Sequence, residues 1–280
     1  MDDDKGTFRY LNCNSEPAEW FRSLAKGWEK PSAIVVISAH WEERDQVLVT
    51  SSSKHPLLFD YYGFPDYTYE IEYPCPGDPT LAQSIIELLR AGGVEAGAEE
   101  TRGYDHGVFV PLKLIYPDAD IPVVQVSMRA SLGVEQHMKI GMLLSDLQEK
   151  HSDILVIGSG QATHNLRTMD PSYPPGVGRK EEDGFVKWLK QTMIDEDLRP
   201  EDRKVLLRLW EEKAPHARLA HPREEHLLPL HVVAGYVGFS PGKTVYDRFF
   251  LGTMSLLSFV FPHKSITSSS DSVLPHSSEV

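Results

Sequence analysis

The chain is poor in cysteine, in long apolar runs and in positive charge, and each shortage excludes a class of protein. Its 280 residues include two cysteines, Cys13 and Cys75, too few for a disulfide framework or a multi-cysteine zinc ribbon. No apolar stretch reaches the roughly 18–20 residues that a transmembrane helix needs. The formal net charge of −13 argues against a protein that binds the phosphate backbone of nucleic acids.

The first residues and the cysteine content bear on the compartment. The segment 1–5 is acidic, not basic and then apolar, so the sequence predicts no secretory signal. We therefore expect a protein of the reducing cytosol, with no membrane and no nucleic acid as partner. The composition, 41% hydrophobic and 25% charged, is typical of a globular chain that can bury a large core.

Short β-branched runs alternate with helical patterns along the body of the chain. The runs 33–38, 121–126 and 154–158 are typical of strands buried on both faces. Helices are predicted over 79–91, 134–150, 181–193 and 223–234, and a closing strand or strand pair over 249–261. The alternation predicts an α/β fold, a single layered domain with a largely parallel or mixed central sheet flanked by helices. We place this domain at residues 1–263 and expect the Ser-rich segment 264–280 to be a disordered tail.

Histidine, in contrast, is abundant, with twelve in the chain. In such sheets ligands bind at the carboxyl ends of the strands. His40 follows the first strand-like run, His164 follows the third, His106 lies in a Tyr-Asp-His-Gly loop, and His226 lies at the buried boundary of the last predicted helix. One histidine at a strand end is more often a structural hydrogen-bonding group. Four together predict a metal or catalytic site, because neutral imidazole is the commonest metal ligand.

The other histidines are predicted to lie outside the site. His231 is expected to be packed, His221 is a candidate to support His226, and His216 is left open. Solvated positions are expected for His55, His137, His151, His263 and His276. Nucleotide-binding glycine motifs are absent, and Gly158-Ser159-Gly160 does not match the Gly-x-Ser-x-Gly turn of serine hydrolases.

Eight motifs follow one another in a fixed order. They are SAHWE (38–42), YGFP (62–65), YPCPG (73–77), DHG (105–107), YPDADIP (116–122), GSG (158–160), THNLR (163–167) and HPREEH (221–226). Together they resemble the class III extradiol ring-cleavage dioxygenases, in the DOPA 4,5-dioxygenase-like branch, over residues 31–260. Any one of these motifs is weak evidence, but their shared order is highly specific.

The resemblance implies an α/β enzyme that opens a catechol ring beside its two hydroxyls and inserts both atoms of O2. The implied cofactor is a non-haem Fe(II) or Zn(II) ion, and the implied partners are a small catechol and O2. By their motifs, His40 and His226 resemble metal ligands. His164 resembles the catalytic histidine beside the metal and is a further candidate ligand, and His106 resembles a histidine that lines the substrate pocket.

The sequence departs from the family pattern near its start. Family members carry an early His-Gly-Ser-like turn whose histidine binds the metal, whereas no histidine precedes His40 here. Cys13 stands at about that place; either its thiolate binds metal or it has no such role and the N-terminus is altered or truncated. An incomplete site would weaken activity. Two alternatives therefore stay open, a metal-deficient non-catalytic relative and a zinc-dependent hydrolase with Glu42 or Glu225 as general base.

Overall fold

The computed structural model describes residues 12–149, 151 and 153–261, and a five-stranded sheet forms the centre of that part of the chain. Its strands are β1 (Ile34–Glu43), β2 (Val47–Thr50), β3 (Ala96–Glu99), β4 (Val123–Arg129) and β5 (Leu155–Ser159). Their spatial order is β3-β2-β4-β1-β5. β1 is parallel to β4 and β5, β2 is parallel to β3, and β2 is antiparallel to β4. This mixed, mostly parallel sheet confirms the predicted α/β fold.

Helices and short strands surround the sheet. The helices are α1 (Glu16–Leu24), α2 (Pro79–Ala91), α3 (His106–Ile115), α4 (Val134–Leu144), α5 (Lys180–Ile194), α6 (Pro200–Arg208), α7 (Trp210–Lys213), α8 (Ala217–Ala220) and α9 (Leu228–Tyr236). Within the described residues, 3₁₀ turns cover Asp66–Glu70, Ser145–Glu149 and Leu166–Thr168. Two small antiparallel pairs are formed by β6 (Lys243–Tyr246) with β9 (Ser258–Val260) and by β7 (Phe249–Phe250) with β8 (Met254–Ser255). None of these described helices is long and apolar enough to cross a membrane.

The strand β1, which lies between β4 and β5, has a core on each of its faces. Val35 and Ile37 pack with residues of α2, α4 and α9, whereas Ile34 and Val36 pack with residues of α3. All four side chains are at most 1% exposed. Successive side chains of a strand point to opposite faces, so the continuous apolar run of β1 contributes to both cores. Packing on both faces holds this part of the strand in position.

Some predicted elements differ from the structure at their ends. α2 covers 79–91 as predicted, and the Asp78 side chain accepts a hydrogen bond from the Leu81 amide as its N-cap. α4 ends at Leu144, where a 3₁₀ turn continues to Glu149. The helix predicted from 223 begins only at Leu228, since Pro229, which has no N–H, occupies the first turn, where a missing donor is tolerated. His226 therefore lies in the turn before α9 and not on the helix.

Three further expectations need correction. The strand β5 is only partly buried because it lies at the edge of the described sheet. His55 and His137 are buried, not solvated; His55 accepts a hydrogen bond from the Ser52 amide, and His137 accepts one from the Arg129 amide. His231 is fully buried, as expected. His263, His276 and the tail 264–280 lie outside the described residues.

Candidate active site

The four histidines that the sequence singles out come together at the carboxyl edge of the sheet. The ring centroids of His40 and His106 lie 4.1 Å apart, and those of His40 and His226 lie 5.1 Å apart. His164 stacks on His226 with centroids 3.5 Å apart and an angle of 16° between the rings. The four imidazoles therefore form one cluster, to which four separate segments of the chain contribute.

His40 stands where β1 leaves its regular pairing with β4. The register runs evenly from Ile34 to Ile37 and resumes at Glu42, with an irregularity between them. Such irregularities change the direction of side chains beside functional sites. The amide of His40 donates to the Ser38 hydroxyl over 3.2 Å, which fixes the backbone of this bend.

A buried polar network joins this bend to the start of α3, where His106 is the first residue. The Asp105 carboxylate, fully buried, accepts hydrogen bonds from the Ser38 hydroxyl at 2.7 Å and from the Gln125 amide at 2.5 Å. A Cβ on Gly107 would lie 2.5 Å from the Ser38 hydroxyl oxygen, so glycine is needed for this close approach. The network thus holds His40 and His106 at a fixed separation.

His164 and His226 are held by an equally close backbone approach. The Gln161 amide donates to the carbonyl of His226 at 2.9 Å, and a Cβ on Gly160 would lie 2.2 Å from that oxygen. The amide of His164 donates to the carbonyl of Ala220 at 2.9 Å. The turn after β5 and the turn before α9 are therefore held together by their own backbones, which brings the two rings into stacking contact.

Two carboxylates pair with the four rings. Asp60 Oδ1 lies 2.7 Å from His106 Nδ1, and Asp60 Oδ2 lies 3.2 Å from His40 Nδ1. Glu225 Oε1 lies 3.0 Å from His226 Nδ1 and 3.6 Å from His164 Nδ1. Each carboxylate thus serves one pair of histidines.

The environment of these groups sets their charge. Burial opposes ionisation of Asp60, but hydrogen bonds from His106 and His40 outweigh it and hold the pKa of Asp60 well below its usual value. Burial likewise opposes ionisation of Glu225, and hydrogen bonds with His164 and His226 bring its pKa below the usual value. Burial lowers the pKa of His226 to about 4, against the opposing effect of Glu225. At neutral pH the site contains two carboxylates, and His226 is neutral.

His221 lies behind the site, where it contacts the segment of His164; the sequence had offered it as a support for His226. Its ring is fully buried and contacts Phe185 and Trp210 edge-on. Nε2 lies 2.9 Å from the carbonyl of Ala162, two residues before His164. Burial lowers its pKa to about 3, so a neutral ring with a proton on Nε2 donates this bond.

The donor atoms fit a divalent transition metal. Two groups of three residues have potential ligand atoms within 4.8 Å of one another, His40 with Asp60 and His106, and His164 with Glu225 and His226. Each group combines two histidines with one carboxylate, donor types that non-haem iron oxygenases use, and in each group the carboxylate also lies against the Nδ1 atoms of both histidines. The residues predicted as ligands, His40, His226 and His164, are thus divided between two adjacent groups of a single cluster.

Cys13 belongs to neither group of donor atoms. It is exposed and lies before α1, where its carbonyl accepts a hydrogen bond from Arg22. The structure therefore gives no support to the interpretation that a Cys13 thiolate completes the described cluster.

Sequence reasoning missed one of the two carboxylates and gave the other a different role. Asp60 lies two residues before the Tyr62–Pro65 motif, and this proximity was its only signal. Glu225 was considered only as the base of a hydrolase, although it directly precedes His226. The pairings of Asp60 with His40 and His106, and of Glu225 with His164, join residues far apart in sequence, so spacing along the chain could not reveal them.

Comparison with known proteins gives one family. Residues 9–262 match the family described as the catalytic LigB subunit of aromatic ring-opening dioxygenase. A 4,5-DOPA dioxygenase extradiol from Beta vulgaris is 36% identical over 263 residues, covering 93% of this chain and 91% of that protein. The 4,5-DOPA dioxygenase extradiol of Escherichia coli K12 is 34% identical over 254 residues, covering 89% and 88%.

A solved structure agrees with the sequence comparison. The crystal structure of an uncharacterized protein from Escherichia coli K12 superposes with a TM-score of 0.71 at 30% identity, covering 86% of this chain and 91% of that one. The ordered motifs, the sheet and the histidine cluster therefore have one explanation: the chain belongs to the LigB family of aromatic ring-opening dioxygenases.

Proposed function

We propose that this protein is a metal-dependent extradiol dioxygenase that opens the ring of a catechol-type, DOPA-like aromatic compound. The reaction breaks the ring carbon–carbon bond beside the two hydroxyls and places both atoms of O2 in the product, as an aldehyde and a carboxylic acid. The observation that carries the proposal is the cluster of four histidines and two carboxylates at the carboxyl edge of the sheet. The low cysteine content fits a reducing compartment, and we place the reaction in the cytosol.

His40 and His226 are the residues we assign to the metal, with His164 beside them. Fe(II), when bound, supplies a Lewis acid for the catechol oxygens and the electron density that O2 activation requires; Zn(II) is the other ion that this donor set accommodates. A neutral His226 suits a ligand because its lone pair is free of a proton. Glu225 accepts from His226 Nδ1 and so leaves Nε2 as the nitrogen available to bind.

His164 is the residue we assign to proton transfer. Its ring stacks on His226, and its Nδ1 lies 3.6 Å from Glu225, so the carboxylate stabilises a positive charge on the imidazole. A histidine in this position takes a proton from the catechol hydroxyl and returns it when the ring opens, because imidazole can both accept and donate a proton. His106, 33% exposed at the side chain, borders the cluster on the solvent side, where we place the substrate.

The hydrolase alternative needs an available carboxylate as general base. Glu42 accepts hydrogen bonds from Nη1 and Nη2 of Arg223, and Glu225 is paired with His226 and His164. Both candidates already serve other groups, which favours the dioxygenase.

An oxygen-uptake assay tests the proposal. Protein reconstituted with Fe(II) should consume one O2 for each DOPA or catechol lost and should leave the aromatic ring intact under nitrogen. Iron bound in stoichiometric amount without catechol-dependent uptake would refute ring cleavage of these substrates. Failure to bind iron or zinc would instead identify the non-catalytic relative, and amide cleavage without O2 would identify the hydrolase.

A further inference from the structure

The loop that follows β2 brings one carboxylate, Asp60, against two of the site histidines. Asp60 Oδ1 accepts a hydrogen bond from the backbone amide of His106 at 3.0 Å and lies 2.7 Å from Nδ1 of the same residue. Asp60 Oδ2 lies 3.2 Å from His40 Nδ1. The Asp60 side chain is 18% exposed, and within the described part of the chain no Lys or Arg forms a salt bridge with it. Its charge is therefore directed at the two imidazoles.

This arrangement determines which nitrogen of each ring carries the proton. An ionised carboxylate accepts hydrogen bonds and donates none. The hydrogen bond with Asp60 makes His106 Nδ1 a donor, and the 3.2 Å approach of Asp60 Oδ2 favours a proton on His40 Nδ1. In a neutral imidazole the other nitrogen, Nε2, is then left with the lone pair. One carboxylate therefore fixes the tautomer of His40 and of His106 together.

The loop itself is anchored to α3, so the carboxylate has a fixed position. Phe59 packs edge-on against Phe109 of α3 with centroids 5.5 Å apart, and Tyr61 packs edge-on against His106 at 5.6 Å. The Tyr61 hydroxyl donates to the carbonyl of Thr68 at 2.6 Å. The aromatic neighbours of Asp60 thus hold the carboxylate in place before any ligand arrives.

We propose that Asp60 is a positioning residue that holds the Nε2 atoms of both His40 and His106 unprotonated, one to bind the metal and the other to accept a hydrogen bond from the substrate. The roles of the two histidines rest on the proposed function, whereas the tautomers do not. Carboxylates that orient metal-binding histidines in this way contribute about 10–100-fold to metal affinity.

The tautomers can be measured directly in metal-free protein. Long-range proton–nitrogen NMR spectra of protein labelled with 15N-histidine, at pH 8, distinguish protonated Nδ1 from protonated Nε2. The signals of His40 and His106 are assigned by their loss in His40→Gln and His106→Gln. We expect both residues to carry the proton on Nδ1. A proton on Nε2 of either residue in the unmodified protein would overturn the proposal without any variant of Asp60.

The variant Asp60→Asn makes a sharper test because an amide has one accepting oxygen and one donating NH2 group. His106 faces Oδ1 of Asp60 and His40 faces Oδ2, so in the variant one of the two rings meets the NH2 group, and that histidine must move its proton to Nε2 to accept from it. We expect one of the two histidines to change tautomer in Asp60→Asn and neither to change in Asp60→Glu, which keeps a carboxylate. Asp66→Asn makes the same chemical change in the same loop and should leave both rings unchanged.

Zinc affinity gives a second readout that is independent of turnover. It should fall about 10–100-fold in Asp60→Asn and stay unchanged in Asp66→Asn, as expected for a carboxylate that orients a ligand. Unchanged tautomers together with zinc affinity within twofold of the unmodified protein would overturn the proposal. Absence of ring cleavage in the unmodified protein would count against the proposed function alone, because neither measurement needs substrate.

Discussion

His164 differs from the other histidines of the cluster in what surrounds it. Its ring stacks on His226, while its backbone amide is tied to Ala220 and Thr163 beside it is bonded to the carbonyl of Thr253. The turn would therefore keep its shape if the imidazole were removed. This makes His164 a clean target for separating proton transfer from metal binding.

We expect His164→Ala to lower turnover of a catechol by about 10²–10⁴-fold, the usual contribution of a general acid–base group. Bound iron should remain near the level of the unmodified protein because His40 and His226 keep their partners. Metal analysis and oxygen uptake on the same preparation check this. Loss of metal along with activity would make His164 a ligand, and unchanged turnover would remove it from the chemistry.

His40 and His226 should instead determine metal retention. Substitution of either by Ala removes a strong nitrogen donor from a cluster in which each histidine is already oriented by a carboxylate. We expect iron and zinc content to fall to background in both variants, with unfolding transitions close to that of the unmodified protein. Cys13→Ala should keep its metal, since Cys13 lies outside both groups of donor atoms. Full occupancy in both histidine variants would contradict the assignment.

The sequence predicted His40 and His164 because they follow strand-like runs, and the carboxyl ends of such strands meet at one edge of an α/β sheet. His106 was predicted from a loop that opens a helical stretch, and His226 from the buried boundary of a predicted helix. The sequence could not predict the contacts of Asp60 with His40 and His106 or of Glu225 with His164, since contacts between segments far apart in sequence leave no local pattern. The sequence also placed His226 on a helix. The apolar spacing of 227–234 is helical, but nothing in the sequence shows that the residues before Leu228 form a turn. His137 was wrongly predicted to be solvated because the polar residues around it do not show that its ring folds back onto the carbonyl of Gly133, 2.8 Å away.

Secondary-structure elements pack most closely where two helices cover the sheet. A Cβ on Gly141 of α4 would lie 1.9 Å from the carbonyl oxygen of Val232 in α9, and a Cβ on Gly235 of α9 would lie 2.3 Å from the carbonyl oxygen of Met138 in α4. The two helices therefore meet backbone to backbone, through one glycine on each. Since α9 begins two residues after His226, this contact also helps to position His226 at the site.

Gly141→Ala should destabilise the protein by about 1–3 kcal/mol or more, because the backbone of α9 must move to admit a methyl group. Gly184→Ala is the matched control. Gly184 lies inside α5 and a Cβ there would meet no atom closer than 3.7 Å, so alanine should stabilise by about 0.5–1 kcal/mol through its helix propensity. Urea unfolding of both variants measures the difference, and a stabilising Gly141→Ala would refute the close approach of the helices.

The fold as a whole buries several histidines in neutral form, and this determines how its stability responds to acid. His231 of α9 is fully buried, with Nε2 3.0 Å from the carbonyl of Leu207 and Nδ1 3.2 Å from that of Leu227. Burial lowers the pKa of His231 to about 4. The two carbonyls act in the opposite direction and raise the pKa, whereas nearby His137 lowers it further. Burial also lowers the pKa of His137. The unfolded chain therefore binds protons at these positions at a higher pH than the folded protein does.

Stability should consequently fall as the pH drops from 6.5 towards 4, because the unfolded state takes up more protons over that range and is favoured by them. For His231 alone, the free energy of unfolding should decrease by about 2 kcal/mol between pH 7 and pH 5.

His231→Gln keeps a hydrogen-bond donor but cannot titrate. The free energy of unfolding of this variant should therefore change with pH by about that much less than in the unmodified protein, even if the variant is less stable at pH 7. His216→Asn, at an exposed position, should keep the pH dependence of the unmodified protein. Urea unfolding at the two pH values decides the matter, and equal pH dependence in His231→Gln and the unmodified protein would show that His231 is not held neutral by the fold.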